Sequence, residues 1–198
     1  YDISPDDLMK ISNINVKSLF EELNNYEKEA LWKKRLEISK ISSSLVPRLL
    51  LSCDYNKPKT NIELQQIFKY STNISIIQAI ELLTGRYGNE LIREFAVSIL
   101  RKATFTDISH YLLQLVQALK YEKNIDNPLS RFLLEQAITH PIKVGHEFFW
   151  HLRAEMHNPN VQRKFGLYLE VFVNKISKAL YEIFKDEDSL LKQLAGFA

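Results

Sequence analysis

The residues best able to do chemistry lie in one short run, His146-Glu147-Phe148-Phe149-Trp150-His151, with His157 six positions further on. Two histidines around a glutamate suggest a zinc-peptidase pattern, in which histidines at i and i+4 share one helical face and the glutamate acts on a metal-bound water. Here the spacing is i and i+5. At about 100° per residue the two imidazoles stand about 140° apart, and His157 lies about 120° from His151 in the other sense. The three cannot converge on one ion. The run reads better as packing, with Phe148, Phe149, Leu152 and Met156 facing inward and the histidines making local hydrogen bonds.

Other chemistries fare no better. Cys53 and His110 fall in separate helices, and one Cys with one His does not define a nucleophilic pair. Gly85-Arg86-Tyr87-Gly88 lacks the Lys-Ser/Thr that completes a phosphate-binding loop. No Gly-x-Ser-x-Gly, His-Arg-Asp or Asp-Phe-Gly string occurs, so a kinase catalytic loop is absent from this sequence. The reading therefore assigns no catalytic, metal or cofactor-binding residue. Lys33-Lys34-Arg35 has no aromatic interleaving and reads as a solvated helix face. With a formal net charge of +2, nucleic acid is not an expected partner. The lone cysteine excludes an internal disulfide and fits a reducing compartment. Asn73-Ile74-Ser75 fits a glycosylation sequon, a weak match without other secretory signals.

The elements that would position these residues are helical throughout. With 45% hydrophobic residues and only 5 Gly and 6 Pro in 198 positions, the chain is globular and poor in the turn residues of an all-β protein. Phe165, Leu169, Phe172, Ile176, Leu180 and Ile183 form one stripe after Asn158-Pro159, a helix start. Ile108, Leu112, Leu115 and Leu119 form a second, Leu129, Phe132, Leu133 and Ala137 a third, and Leu91, Phe95, Ile99 and Ala103 a fourth. Gly85 and Gly88 flank the turn before the last of these and could supply positive φ. Further helices are expected near 19–36, 43–52, 61–70, 74–84 and 144–157. The expected core includes Phe95, Leu112, Leu115, Phe132, Phe149, Trp150, Phe165 and Leu169.

Eight to ten helices joined by short turns, several apolar on two sides, fit stacked helical hairpins, each inner helix covered by its partner and by the next hairpin. Hairpins of roughly 35–40 residues match the period of HEAT-like repeats. The fold class read from the sequence is all-α: a right-handed α-solenoid of antiparallel helical hairpins, a HEAT/armadillo-like superhelix. Residues 1–18 are read as a linker, 19–185 as the helical domain, and 186–198 as the start of a connection onward. The opening Tyr1 suggests a piece of a larger protein.

From about residue 90 the strings become specific. They include Leu115-Val116-Gln117-Ala118-Leu119-Lys120-Tyr121-Glu122, Asn127-Pro128-Leu129-Ser130-Arg131-Phe132-Leu133-Leu134 and Phe149-Trp150-His151-Leu152-Arg153-Ala154-Glu155-Met156-His157. With Glu27-Lys28-Glu29-Ala30-Leu31-Trp32 upstream, these resemble the helical accessory domain of class I phosphoinositide 3-kinase catalytic subunits over about 20–185. Phosphoinositide 4-kinases share a looser version. The resemblance implies a non-catalytic scaffold to which the Ras-binding, C2 and kinase domains of the same chain dock. The parent, a cytoplasmic enzyme recruited to membranes, would use ATP and Mg in its kinase domain to phosphorylate the inositol 3-hydroxyl. The alternatives are a free-standing α-solenoid adaptor or the helical domain of a phosphoinositide 4-kinase.

The family also presents acids just before the tryptophan to an SH2-containing regulatory subunit. Residues 1–30 hold seven acids and three lysines, a net of −4 that leaves +6 elsewhere. Read as a helix, Glu22 and Glu29 stand two turns apart on one face, Glu21 flanks it at about 100°, and Glu27 points away. Glu21, Glu22 and Glu29 are thus the candidate partner-binding residues. Glu22 falls at one of the family's acidic positions, whereas Asn25 stands where another acid is expected.

Overall fold

In the computed structural model, residues 22–55, 57–71 and 73–195 are described. Among these the secondary structure is helical, without strands. The chain divides into two compact units, one ending at Leu100 and the other beginning at Arg101.

The first unit holds α1 (Asn25–Lys33), α2 (Arg35–Ile41), α3 (Val46–Leu51), α4 (Thr60–Tyr70), α5 (Ile76–Leu82) and α6 (Glu90–Leu100). Its helix starts carry strong local signals. At α1, Asn24 Oδ1 accepts from the Glu27 amide at 2.8 Å while Glu27 Oε2 accepts from the Asn24 amide at 3.0 Å. Ser75 and Gln78 repeat this reciprocal cap at α5. Helix α2 packs on α4, α3 on α5, and α5 on α6. Leu31, Leu49, Leu64, Ile67, Leu82 and Leu100 are fully buried between them. Arg35 pairs with Glu63 at 2.8 Å and the Lys40 ammonium lies 4.4 Å from the Tyr70 ring centroid. The start of α2 therefore meets the start of α4, and end meets end, so these two helices run parallel.

The second unit holds α7 (Phe105–His110), α8 (Leu112–Ala118), α9 (Pro128–Thr139), a π-helix (Pro141–Gly145), α10 (His146–Ala154), α11 (Pro159–Val173) and α12 (Lys178–Ala195). Its centre is aromatic: Phe148 meets Phe172 edge-on at 5.8 Å, and Phe184 stacks on Phe149 at 4.8 Å. Helices α8 and α10 are in register. Ser109 donates to Glu147 at 2.9 Å and Gln117 to Glu155 at 2.7 Å, each pair 38 positions apart. Alternate helices again run parallel.

Several expected helices are subdivided, giving twelve α-helices of 6 to 18 residues among the described residues rather than eight to ten of about 10–25. Within the described part of the segment read as 19–36, helix begins at Asn25 and breaks at Lys34. The stripe from Ile108 to Leu119 is interrupted at Tyr111, yet its four residues are buried. The long stripe after Pro159 is two helices, parted at Asn174–Ser177, and Ile183 is 52% exposed. Among the described residues none, glycine or other, has positive φ, so the turn at Gly88 uses ordinary backbone.

Of the expected core, Leu112, Leu115, Phe132, Phe149 and Phe165 are buried, whereas Phe95, Trp150 and Leu169 are only half-buried. In α6 the buried stripe is Ile92, Ala96, Val97 and Leu100, and in α11 it is Val161, Phe165, Tyr168 and Phe172. In α6 the buried line lies one residue around from the one read off the sequence, whereas in α11 Phe165 and Phe172 are buried as read and Tyr168 takes the place of Leu169. Phe95 instead stacks on Phe68 of α4 at 4.1 Å.

Candidate functional site

The acidic segment is reshaped by where α1 starts. Asn24 caps the helix, so Glu22 stands two residues before the cap, outside the helix, and is not on its face. The two-turn alignment of Glu22 with Glu29 therefore does not hold. Glu27 is taken up by the cap. Glu29 is exposed on α1, in a shallow depression of about 220 Å³ lined by Tyr26, Glu29, Ala30, Lys33 and Lys34. Two lysines thus border the glutamate, so the face of α1 is of mixed charge. Glu21 lies outside the described residues. What remains is an exposed Glu22 leading into a helix that presents Glu29, a surface able to bind but without reactive groups.

The histidine run is divided among three partners. His146 Nε2 lies 3.0 Å from Glu187 Oε2 on α12, and the Trp150 indole N–H reaches the same oxygen at 3.1 Å. His151 is half-buried, and that burial, only partly offset by the Glu147 carboxylate, lowers its pKa. His157 Nδ1 lies 2.7 Å from the Ala154 carbonyl oxygen, which accepts its N–H at the end of α10. Among the described residues no group of three His, Cys, Asp or Glu side chains could hold a metal ion. Cys53 is buried, and desolvation pushes its thiol up to about 11. A neutral thiol is a poor nucleophile.

The buried or half-buried cations have structural partners. Arg93 Nη1 donates to the Thr84 and Tyr87 carbonyls at 3.3 Å, closing the end of α5, and Arg153 donates to Asp188 at 3.1 Å. Lys164 donates to the carbonyls of Leu119 and Glu122 at 3.2 and 2.6 Å, capping the turn that ends α8. An open hollow of about 470 Å³ is lined by Phe105, Thr106, Asp107, Ser109, His110, Lys143 and Glu147. Asp107 there caps α7 from Thr104, Glu147 binds Ser109, and Lys143 lies over the Phe105 ring.

Arg93 and Arg153 each stand among apolar neighbours in the sequence, a signal that each needs an acid or a helix end. The sequence does not reveal Glu187 and Asp188, which lie 35 to 41 positions from their partners, nor Gly145. A Cβ there would sit 2.7 Å from the Ala137 carbonyl oxygen and 2.9 Å from the Phe172 ring. No residue near Gly145 advertises that contact.

No helix among the described residues is long and apolar enough to cross a membrane. Residues 6–185 match the model of the phosphoinositide 3-kinase family accessory domain, or PIK domain. The chain is 34% identical over 155 residues to phosphatidylinositol 3-kinase 1 of Dictyostelium discoideum, covering 78% of this chain and 10% of that protein. It is 29% identical over 197 residues to phosphatidylinositol 3-kinase 3 of the same organism, covering 99% of this chain and 12% of that one. Against phosphatidylinositol 3-kinase pik3 of Schizosaccharomyces pombe it is 30% identical over 167 residues, 81% of this chain and 21% of the relative. The chain thus spans about a tenth to a fifth of these relatives. With a family match over nearly its whole length and an all-helical structure to carry it, this chain belongs to the phosphoinositide 3-kinase family as its accessory (PIK) domain.

Proposed function

We propose that the chain is the non-catalytic scaffold of a class I phosphatidylinositol 3-kinase catalytic subunit, docking the kinase, C2 and Ras-binding domains of its own chain. The observation that carries this is the family match over residues 6–185. The relatives are about five to ten times longer than the chain's share of them, which supports a parent holding further domains. The reaction, transfer of the ATP γ-phosphate to the inositol 3-hydroxyl, belongs to the parent's kinase domain. That parent works in the cytoplasm and is recruited to membranes. The 38-position offset between α8 and α10, and the parallel pairing of alternate helices, support a solenoid of stacked hairpins. A stack of this kind offers long, rigid ridges for docking.

The test is a lipid kinase assay on the full-length parent and on the isolated 198-residue segment. The parent is expected to yield 3-phosphorylated lipid and the segment none. Turnover by the segment, or an intact parent inert toward phosphatidylinositol lipids, overturns the reading. Binding of an SH2-containing regulatory subunit to the Glu22 and Glu29 surface is part of the proposal. Reversing both to lysine should slow association and reduce its salt dependence. Unchanged binding at low and high salt would remove that partner from this surface.

A further inference from the structure

Helix α12 is lightly attached for its length. Among its residues 178–193 Phe184 alone is buried, and Ser189–Gln193 are all exposed. The Phe184 ring stacks on Phe149 and lies 6.3 Å from Phe172 and 5.5 Å from the His146 ring. One turn further on, Glu187 and Asp188 make the polar attachments. Asp188 meets Arg153 of α10 at 3.1 Å and Lys192 of its own helix at 2.7 Å. The Glu187 carboxylate meets both His146 and Trp150.

The geometry of that last contact fixes its protons. His146 Nε2, Trp150 Nε1 and Glu187 Oε2 form a triangle with sides of 3.0, 3.1 and 3.2 Å. The indole nitrogen only donates and a carboxylate only accepts. Both short contacts to Oε2 are satisfied together when His146 carries its proton on Nε2. The Trp150–His146 side of the triangle is then mere proximity between two donors. Glu187 is thereby held by two N–H groups of α10, in a half-exposed setting where water competes. Behind it, the chain between α11 and α12 at Asn174–Ser177 is largely exposed and bears only light packing, so it can act as a hinge.

We propose that α12 is a releasable arm, hinged at Asn174–Ser177, seated by the Phe184 ring and clasped by Glu187 between His146 and Trp150. Glu187 and Trp150 are positioning residues of this device. Release would turn the Phe149 and Phe172 rings toward water and free the Trp150 indole, while α8 to α11 stay packed on one another. The arm is thus a local opening unit, of lower stability than the rest of its half of the molecule. This goes beyond the scaffold reading and does not depend on which domains surround the chain.

Hydrogen–deuterium exchange on the full-length chain tests the arm directly. In the unaltered protein the amides of 180–193 should exchange at least about tenfold faster than the interior amides of α10 and α11. Glu187→Gln removes the charge and one acceptor, and Trp150→Phe keeps a ring but removes the N–H. Each should speed exchange in 180–193 by about three- to tenfold, with α9 to α11 unchanged, and the double variant should show less than the product of the two. Glu182→Gln, in an exposed pair with Lys185 on the same helix, is the control and should change nothing. Equal protection of α12 and α11 in the unaltered protein overturns the proposal. So does acceleration by Glu187→Gln that spreads through the whole unit, or none at all.

Discussion

Gly145 offers a sharp test of the packing, because the same substitution at a second glycine should have the opposite sign. Replacing Gly145 with alanine puts a methyl 2.7 Å from the Ala137 carbonyl oxygen and 2.9 and 3.2 Å from two atoms of the Phe172 ring. The first obstacle is backbone within α9, at a residue that is itself fully buried. The second is a ring wedged against Phe148 and Phe184. Neither can give way cheaply, so the overpacking cost belongs at the upper end of the usual range, about 3 kcal/mol. Alanine recovers about 1 kcal/mol over glycine in a helical backbone. The expected net loss is about 2 kcal/mol, or roughly 4–8 °C in Tm for a chain of this size. Gly166, within α11, has nothing nearer to a built Cβ than Met156 Cε at 3.4 Å. Gly166→Ala should therefore keep most of the backbone gain and stabilise by about 0.5–1 kcal/mol.

The two tryptophans make the assay specific, since Trp32 lies in the first unit and Trp150 in the second. In a Trp32→Phe background, urea unfolding followed by fluorescence reports the unit that holds both glycines. A Gly145→Ala variant as stable as its parent would refute the close approach of the π-helix to α9 and to Phe172. A loss of more than about 1 kcal/mol for Gly166→Ala would show that α11 and Met156 are closer than the structure has them.

Phe132→Ala should cost about 3–5 kcal/mol in urea unfolding, and Phe95→Ala only about 2, because Phe132 is 1% exposed and Phe95 is a half-buried ring on Phe68. Lys164→Met keeps the aliphatic stem but abandons two carbonyls, so a loss of about 1–2 kcal/mol is expected, with exchange quickened at the end of α8. Cys53 should resist alkylation at pH 8 in the folded chain and react at once in urea. Its thiol is raised from its ordinary 9.0 to about 11, so the folded state holds the proton to higher pH than the unfolded one. The stability this contributes is full below pH 9 and is lost as pH rises toward 11, a decline that Cys53→Ala should lack.

Much of the architecture was legible. The starts of α9 and α11 were marked by Asn-Pro pairs, and the Ile108 to Leu119 stripe was buried as expected even though Tyr111 interrupts its helix. Periodicity counts apolar side chains and is blind to a kink that preserves the stripe. The same blindness carried Leu180 and Ile183 into one long helix with Phe165, since a hinge at Asn174–Ser177 leaves no mark in the spacing. At the acidic segment, the residues gave the charge but not the start of α1. Asn24 with Glu27 is a capping pair three apart, and reading it as one would have put Glu22 outside the helix. The contacts of Trp150 were out of reach for another reason. An indole can end a core or sit at its edge, and only the arrival of Glu187 from α12 decides.

The misread stripe of α6 and the displaced Leu169 of α11 share a physical cause, and it bears on how these helices keep their register. Both helices are apolar on two sides, so hydrophobic burial alone barely distinguishes neighbouring rotations about the helix axis. Polar groups break the tie. In α11 the inward rotation brings the Tyr168 hydroxyl to the Ile125 carbonyl at 2.7 Å, and the Asn127 amide donates to the same hydroxyl at 3.2 Å. Turning Leu169 inward would strip those partners from a loop that Asn127 and Ser130 already tie down, and an orphaned buried polar group costs about 1–3 kcal/mol. In α6 the same step would swing Arg93 away from the Thr84 and Tyr87 carbonyls, which close the end of α5. The apolar cores of the two units supply most of the stability and little of the choice. A few hydrogen bonds to loop carbonyls fix which ridge of each helix faces in, and so which ridge faces outward.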